Sequence, residues 1–332
     1  YAGGIDRSGQ SIGAIFEDGK YVELSYGYVM PSVTGTDPFT TGSDNIAPDY
    51  GNVGLAFKTD LDDKVSLALI IDQPFGANVS YDNAAYLIGG SGANVETTSI
   101  TAVGRYKFNE NVSVFFGPRY LSASGDYTAA QFGTVLYTST YASGSGTGYV
   151  AGAAYERQDI AMRVALTYSS AIDLELDGTG AGGLGDLTAT MPQSVNLEFQ
   201  SGVAADTLVF GSVRWAEWSQ AHITDAVFGE LVSWDDDVLT YTLGVGRKFS
   251  DKFSGAVSVG YEKELGGAVS NLSAKDGYTS ISVGGTYTLD NGIELTGGVR
   301  YIMVGDATTE TIGAVFADNS AVAVGLKVAY NF

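Results

Sequence analysis

The chain has 332 residues and a formal charge of −21, with 45 glycines, 21 tyrosines, 15 phenylalanines, 6 prolines, one histidine and no cysteine. Without cysteine there are no disulfides, no thiolate chemistry and no Cys-ligated zinc, and the acidic balance argues against nucleic acid, whose phosphates need a basic stripe. Apolar runs such as Val150-Ala-Gly-Ala-Ala-Tyr155 stay too short for a helix that crosses a bilayer, so a membrane protein built from this sequence must be a closed barrel.

Residues 1–19 do not alternate cleanly. They mix Ile and Phe with Gly, Ser and Arg, too apolar for a solvated tail and too irregular for a strand. The expectation is a non-strand plug inside a barrel of residues 20–332, with a short helical turn within Ser8–Phe16. Ile5, Arg7, Ile12, Ile15 and Phe16 are its expected contacts. The start, Tyr1-Ala-Gly-Gly4, has neither the basic nor the apolar region of a signal peptide, so a mature chain is expected.

Alternation begins at Tyr21. Val22, Leu24, Tyr26, Tyr28 and Met30 share one face, and Glu23, Ser25 and Gly27 the other. A second strand is predicted over about 46–59 and a third over about 64–82. The third starts well, with Val65, Leu67, Leu69 and Ile71 outward, and is then broken by Asp72-Gln73-Pro74-Phe75-Gly76. Proline donates no ladder hydrogen bond, so a kink or bulge is expected there.

Further strands are predicted near 97–108, 112–128, 147–156, 160–174, 188–200, 206–221, 236–249, 253–266, 276–289, 293–305 and 319–332. The last one sets Val322, Val324, Leu326, Val328, Tyr330 and Phe332 against Ala323, Gly325, Lys327, Ala329 and Asn331. The total is about fourteen, and an even number suits a single-chain bacterial barrel. Short polar turns alternate with long loops near 35–46, 83–96, 128–147, 174–187, 222–235, 266–275 and 306–318. That asymmetry belongs to an outer-membrane barrel with both termini periplasmic. Tyr106, Phe108, Phe249, Phe253, Tyr287 and Phe332 near the turns, with Tyr120 and Tyr168 near the loops, suggest two interfacial belts. The fold class expected is all-β: a transmembrane antiparallel β-barrel with an N-terminal plug.

The inward face carries charge: Glu23, Lys58, Asp72, Arg105, Lys107, Arg119, Arg163, Glu198, Arg214, Glu262, Glu294, Arg300 and Lys327. Charge facing lipid near the midplane costs about 2–4 kcal/mol, so these side chains belong in a lumen. Most are expected to form a bracing salt-bridge network. Arg119, Arg163, Arg214 and Arg300 are candidates to receive an anionic head group, because guanidinium pairs bidentately with carboxylate. One or two should contact ligand while the rest pair with Glu198, Glu262 or Glu294.

Other motifs are weak. Gly144–Gly148 and Gly182–Gly185 lack the strand-then-helix context of a phosphate loop, and Asp235–Asp237 reads as a solvated acidic edge with calcium as a minor reading. His222 stands alone, so no His-rich metal site can form. A barrel-embedded lipid hydrolase using His222 is arithmetically open but has no supporting motif. Neither a metal nor a cofactor is expected, and the chain is not expected to be an enzyme.

Three segments carry a resemblance: Gly3–Gly19 with Tyr21–Val33, Asp72–Tyr81, and Met191–Phe199 continuing into Val213–Ser219. Together they resemble the FadL family of outer-membrane transporters for long-chain fatty acids and other hydrophobic compounds. The N-terminal segment is short for that family's hatch, and the family's Asn-Pro-Ala triplet does not follow Glu17-Asp18. The resemblance implies a fourteen-strand barrel with a hatch. It also implies a kinked third strand, at Asp72, Gln73, Pro74, Phe75 and Gly76, opening a lateral exit into the bilayer. The expected function is passive uptake of a hydrophobic or amphipathic molecule by a monomer in the outer membrane of a Gram-negative bacterium. Its partners are that ligand and the surrounding lipid, with lipopolysaccharide bridged to acidic loops by divalent cations. A water-filled porin for polar solutes is the alternative that the inward charges support.

Overall fold

A computed structural model describes residues 4–180 and 185–332. Tyr1–Gly3 of the expected plug and Gly182–Leu184 of the glycine-rich loop lie outside them. Fourteen antiparallel strands form one closed wall. They are β1 (Tyr21–Ser32), β2 (Tyr50–Asp60), β3 (Val65–Asp72, resuming as Gly76–Ser80), β4 (Gly92–Lys107), β5 (Val112–Gln131), β6 (Thr134–Arg157) and β7 (Met162–Ser169). The second half comprises β8 (Ser194–Ala204), β9 (Thr207–Ala216), β10 (Val238–Lys248), β11 (Phe253–Glu262), β12 (Tyr278–Thr288), β13 (Ile293–Val304) and β14 (Asn319–Asn331). β14 closes the barrel against β1, from Tyr21↔Asn331 to Ser32↔Ser320.

The two faces differ as the alternation requires. On β14, Leu326 is 65% exposed on the outside, whereas Ala321, Ala323 and Ala329 on the inside are buried. Leu24, Leu55, Leu67, Leu69, Leu243 and Val283 extend the same apolar exterior around the wall. An apolar surface of that extent is sustained by lipid, not water. Near the short turns, Tyr106 packs on Phe108, Phe249 on Phe253 and Tyr330 on Phe332, with ring centroids 5.3, 5.7 and 5.6 Å apart.

Three sequence expectations change. Residues 128–147 are not a loop: β5 and β6 run on, with 20 and 24 residues, to a two-residue turn at Phe132 and Gly133, both at positive φ. A tilted strand needs only about 9–11 residues to cross the hydrocarbon, so this hairpin projects well beyond it. The strand expected over 188–200 divides at Pro192. Leu187–Met191 leaves the wall and β8 remains in it, because proline cannot continue the ladder. The strand expected over 160–174 divides likewise, into β7 and Ile172–Leu176. Ile172–Leu176, Leu187–Met191, His222–Asp225 and Gly229–Ser233 then make a four-stranded cap sheet at the long-loop end. Its core includes Leu174, Met191, Ile223 and Val232, packed with Trp218 and Phe75.

Candidate functional site

The wall is interrupted at β3. Below the kink, β3 pairs on both sides, with β2 from Asp60↔Ser66 to Leu55↔Ile71 and with β4 from Val65↔Tyr106 to Asp72↔Ser99. Above it, Gly76–Ser80 forms a strand ladder with β4 alone, starting at Gly76↔Glu96, and on its other side the Ser80 N–H donates to the Ile46 carbonyl at 2.9 Å. Four steps on β3 therefore oppose three on β4, which is a bulge of one residue. The Tyr50–Gly54 end of β2 has no β3 partner, and the Gln73 side chain substitutes by accepting from the Val53 N–H at 2.9 Å.

The displaced backbone is satisfied from inside. The Pro74 carbonyl accepts from the N–H groups of Arg7 (2.8 Å) and Ser8 (3.3 Å), and the Gly76 N–H donates to the Ile5 carbonyl at 2.9 Å. Phe75 N–H donates to the Thr97 hydroxyl, which in turn donates to the Phe75 carbonyl at 2.6 Å. Asp72 accepts from the hydroxyls of Ser8 (2.8 Å) and Ser99. Gly76 has a steric role, since a Cβ there would lie 2.6 Å from the Arg7 guanidinium.

The N-terminal segment crosses the lumen. Asp6 pairs with Arg214 at 3.2 Å, both buried. Arg214 also donates to Ser194 (2.8 Å) and Asn196 (2.9 Å). Arg119 donates to Gln10 Oε1 at 2.5 Å and to Thr101 Oγ1 at 2.9 Å. Asn52 Nδ2 donates to the Arg7 carbonyl (3.1 Å), Asn196 Nδ2 to the Gly9 carbonyl (3.0 Å), and Ser11 to Glu198 (3.0 Å). A 3₁₀ turn at Gly13–Phe16 buries Ile15 and Phe16, and Ile12 is buried beside it. The guanidinium groups of Arg105 and Arg163 lie over the Phe16 ring, each 4.7 Å from its centroid. Lys58 Nζ, joined to Asp60 at 2.6 Å, donates to the Gly19 carbonyl at 3.1 Å.

The four candidate arginines thus do not converge on one pocket. Arg119, Arg163 and Arg214 are engaged with the N-terminal segment, and Arg300 donates to Ser280 (2.8 and 3.0 Å) where it lines the lumen. Arg214 takes Asp6 as its ionic partner, and Arg105, outside the candidate set, takes Glu156. Lys327 joins Glu23 at 3.4 Å.

Two cavities flank the break. One of about 1320 Å³ fills the short-turn half of the lumen beside β1 and β9–β14. One of about 170 Å³ lies at the break itself, walled by Val29, Ile46, Pro48, Val79, Leu272 and Ile302. Arg7 and Lys275 supply its cationic groups. Burial pushes the Lys275 ammonium below the ordinary lysine range, opposed by the charges of Glu262 and Asp6 and helped by Arg7. Lys275 was not legible in the sequence because it stands in a long polar connection, where no periodicity marks a side chain that folds inward. His222 sits on the cap, with Nδ1 3.2 Å from Glu230, which in turn accepts from Ser233 at 2.7 Å. Here the acid stands between base and hydroxyl, the wrong order for a nucleophile activated by histidine. No group of metal-ligating side chains is assembled among the described residues.

No curated protein matches the sequence. Among solved structures, a FadL homologue of Pseudomonas aeruginosa superposes with a TM-score of 0.76 at 13% identity, covering 96% of this chain and 92% of that one. The toluene transporter TodX of P. putida gives 0.72 at 12% identity with coverage of 96% and 92%. The toluene transporter TbuX of Ralstonia pickettii gives 0.70 at 13%, with 96% and 91%. At such identities the likeness establishes the barrel fold. The sequence model of the outer membrane transport proteins OMPP1/FadL/TodX matches residues 14–332, and with nearly the whole chain inside it, this protein belongs to that family.

Proposed function

We propose that the protein takes up ring-sized hydrophobic or amphipathic molecules across the outer membrane and releases them sideways through the break at Asp72–Gly76. The short turns and both chain ends face the periplasm, and the cap and long loops face outward. Cargo enters among the loops and settles in the 170 Å³ cavity. It leaves between the unpaired ends of β2 and β3, with no energy source inside the chain. The protein acts as a monomer, and its acidic loops meet lipopolysaccharide through divalent cations.

The observation that carries this reading is the one-sided pairing of Gly76–Ser80. Unpaired backbone in hydrocarbon costs several kcal/mol per group, and here the N-terminal segment meets that demand from within, leaving the wall free to open. Cavity size selects the cargo. A cavity of about 150 Å³ lined by apolar side chains binds benzene, so 170 Å³ suits one ring or a short chain segment. That the TodX and TbuX structures are of toluene transporters supports the same class. Lys275 gives the cavity a place for an anionic substituent.

The test is uptake of a labelled monoaromatic hydrocarbon by Gram-negative cells that make the protein, against cells that do not. Faster uptake is expected. Equal rates, or release of fatty acid from phospholipid by the purified protein, contradict the proposal.

A further inference from the structure

The hairpin of β5 and β6 holds the two longest strands of the wall, and its far end is apolar. The apolar exterior of β5, with Val112, Val114, Phe116 and Tyr120, gives way to Ser122 and Asp126. The strand then runs on to Gln131. At about 3.4 Å per residue and a tilt of about 45°, its tip stands roughly 25 Å beyond Tyr120, out of reach of the bilayer. Phe132, Val135 and Leu136 at this tip are 53%, 59% and 65% exposed. The loop after β3 flanks them: the Phe132 N–H donates to the Leu87 carbonyl at 3.3 Å and the Gly133 N–H to the Gly89 carbonyl at 2.9 Å. Buried Asp37 accepts from the N–H groups of Leu87 (3.0 Å) and Phe39 (2.9 Å), which brings a further exposed ring beside the patch.

Charge and backbone both mark this end. The chain carries −21, yet no charged residue stands between Asp126 and Glu156, nor between Asp82 and Glu96 in the flanking loop. Asp177, Asp186, Glu230, Asp306, Glu310 and Asp318 lie on other outer segments. A surface without charge can be covered by an apolar phase at no desolvation cost for ions, whereas those acidic segments cannot. At the turn itself, Phe132 and Gly133 have φ of 47° and 76°. A two-residue hairpin turn with both φ positive prefers Asn-Gly or Asp-Gly, and a bulky side chain at its first position is strained. Strain retained under a half-exposed ring points to a use for the ring.

We propose that this tip docks on a neutral apolar liquid surface, a hydrocarbon droplet, from which cargo is drawn. Neither an anionic membrane nor a charged protein face finds a counter-charge on the patch. An aromatic path leads inward from it. Tyr137 packs on Phe228 with 4.7 Å between centroids, and Phe228 on Tyr127 with 5.8 Å. Tyr127 lines a space of about 50 Å³ under the cap, which shares Ile5, Ala77 and Leu272 with the 170 Å³ cavity. The docking rests on the outward orientation of the proposed function and not on lateral release. Adhesion reads the tip and uptake from solution reads the channel, so either reading can fail visibly without the other.

The experiment is partition of deep-rough Gram-negative cells between buffer and hexadecane droplets. Cells making the protein are expected to adhere severalfold more than cells without it. Phe132→Asn with Val135→Thr and Leu136→Thr is expected to bring adhesion down to that background. Because Asn-Gly relaxes the turn and threonine suits a strand, this variant should unfold at the same or a higher temperature on a heat-shift gel. Val135→Thr with Leu136→Thr alone leaves the turn untouched and should already remove most of the adhesion. Uptake of a monoaromatic hydrocarbon dissolved in buffer should not change in either variant. Adhesion of both variants equal to the parent's overturns the proposal, as does a parent that adheres no more than background. Equal loss of uptake from solution overturns it too, since the tip is then a step of the channel. Tip-dependent dimers of the purified protein do the same, since the partner is then a second copy.

Discussion

Asp6 and Arg214, 208 positions apart in sequence, meet at 3.2 Å inside the barrel, with both side chains buried. The pair fastens the N-terminal segment to β9. Arg214 keeps Ser194 and Asn196 if Asp6 is lost, whereas Asp6 loses its ion-pair partner if Arg214 is lost. Breaking a buried pair from one side costs about 3–5 kcal/mol. Arg214→Ala should therefore destabilise the protein more than Asp6→Ala. Thermal unfolding in detergent should rank them in that order, with Asp6→Leu/Arg214→Met closer to the parent.

The Phe16 ring lies beneath two guanidinium groups and meets Phe115 edge-on, 5.8 Å between centroids. Truncating a buried phenylalanine costs about 3–5 kcal/mol. Phe16→Ala should free the Gly13–Phe16 turn, seen as faster protease cleavage within residues 4–19, while the wall stays intact on a heat-shift gel. Equal cleavage rates contradict a plug anchored by this ring.

Much of this was legible in the sequence, and what was not has physical reasons. Alternation from Val322 to Phe332 announces a wall strand because its faces meet lipid and lumen. Pro74 and Gly76 stand out because neither belongs in a central strand. The cap was hidden, because a strand alternates in the same way on either side of Pro192, and its period does not say which sheet it joins. The partner of Arg214 was hidden by distance along the chain: a carboxylate on the N-terminal segment reaches it, not one on a neighbouring strand. Arg7 was read as a plug contact, but its place over the Tyr50 ring and against Gly76 exists only once the kink is folded.

Asp225 on the cap accepts from the hydroxyls of Tyr141 (2.7 Å) and Tyr137 (3.1 Å) and from the N–H groups of Val227 (2.8 Å) and Phe228 (2.7 Å). Burial opposes its charge, but these donors outweigh it and hold the carboxyl below the usual range. A depressed folded pKa stabilises the cap above the unfolded value of about 3.9 and is lost as pH falls through the folded one. Hydrogen exchange across residues 222–233 should accelerate as pH drops below about 4, beyond the intrinsic trend. Asp225→Asn should show the faster exchange already at pH 7.

Under the proposed function, Lys275 would offer a charge-assisted hydrogen bond, worth about 1.5–3 kcal/mol, to an anionic substituent on the cargo. Lys275→Met should weaken binding of an aromatic carboxylate about tenfold or more and leave a neutral ring of the same size nearly unaffected. Calorimetric titration of the two ligands separates the cases, and equal losses for both contradict a head-group role.

The central claim is that cargo leaves through the wall where β2 and β3 part. The wall has one residue too many on β3 and a proline that cannot donate, so deleting Gln73 together with Pro74→Val restores three steps opposite three and a continuous ladder with β4. Uptake of a monoaromatic hydrocarbon by cells making this variant is the direct measurement. Background uptake from a correctly inserted, more heat-stable barrel is the predicted result. Uptake equal to that of the parent contradicts lateral release at this position.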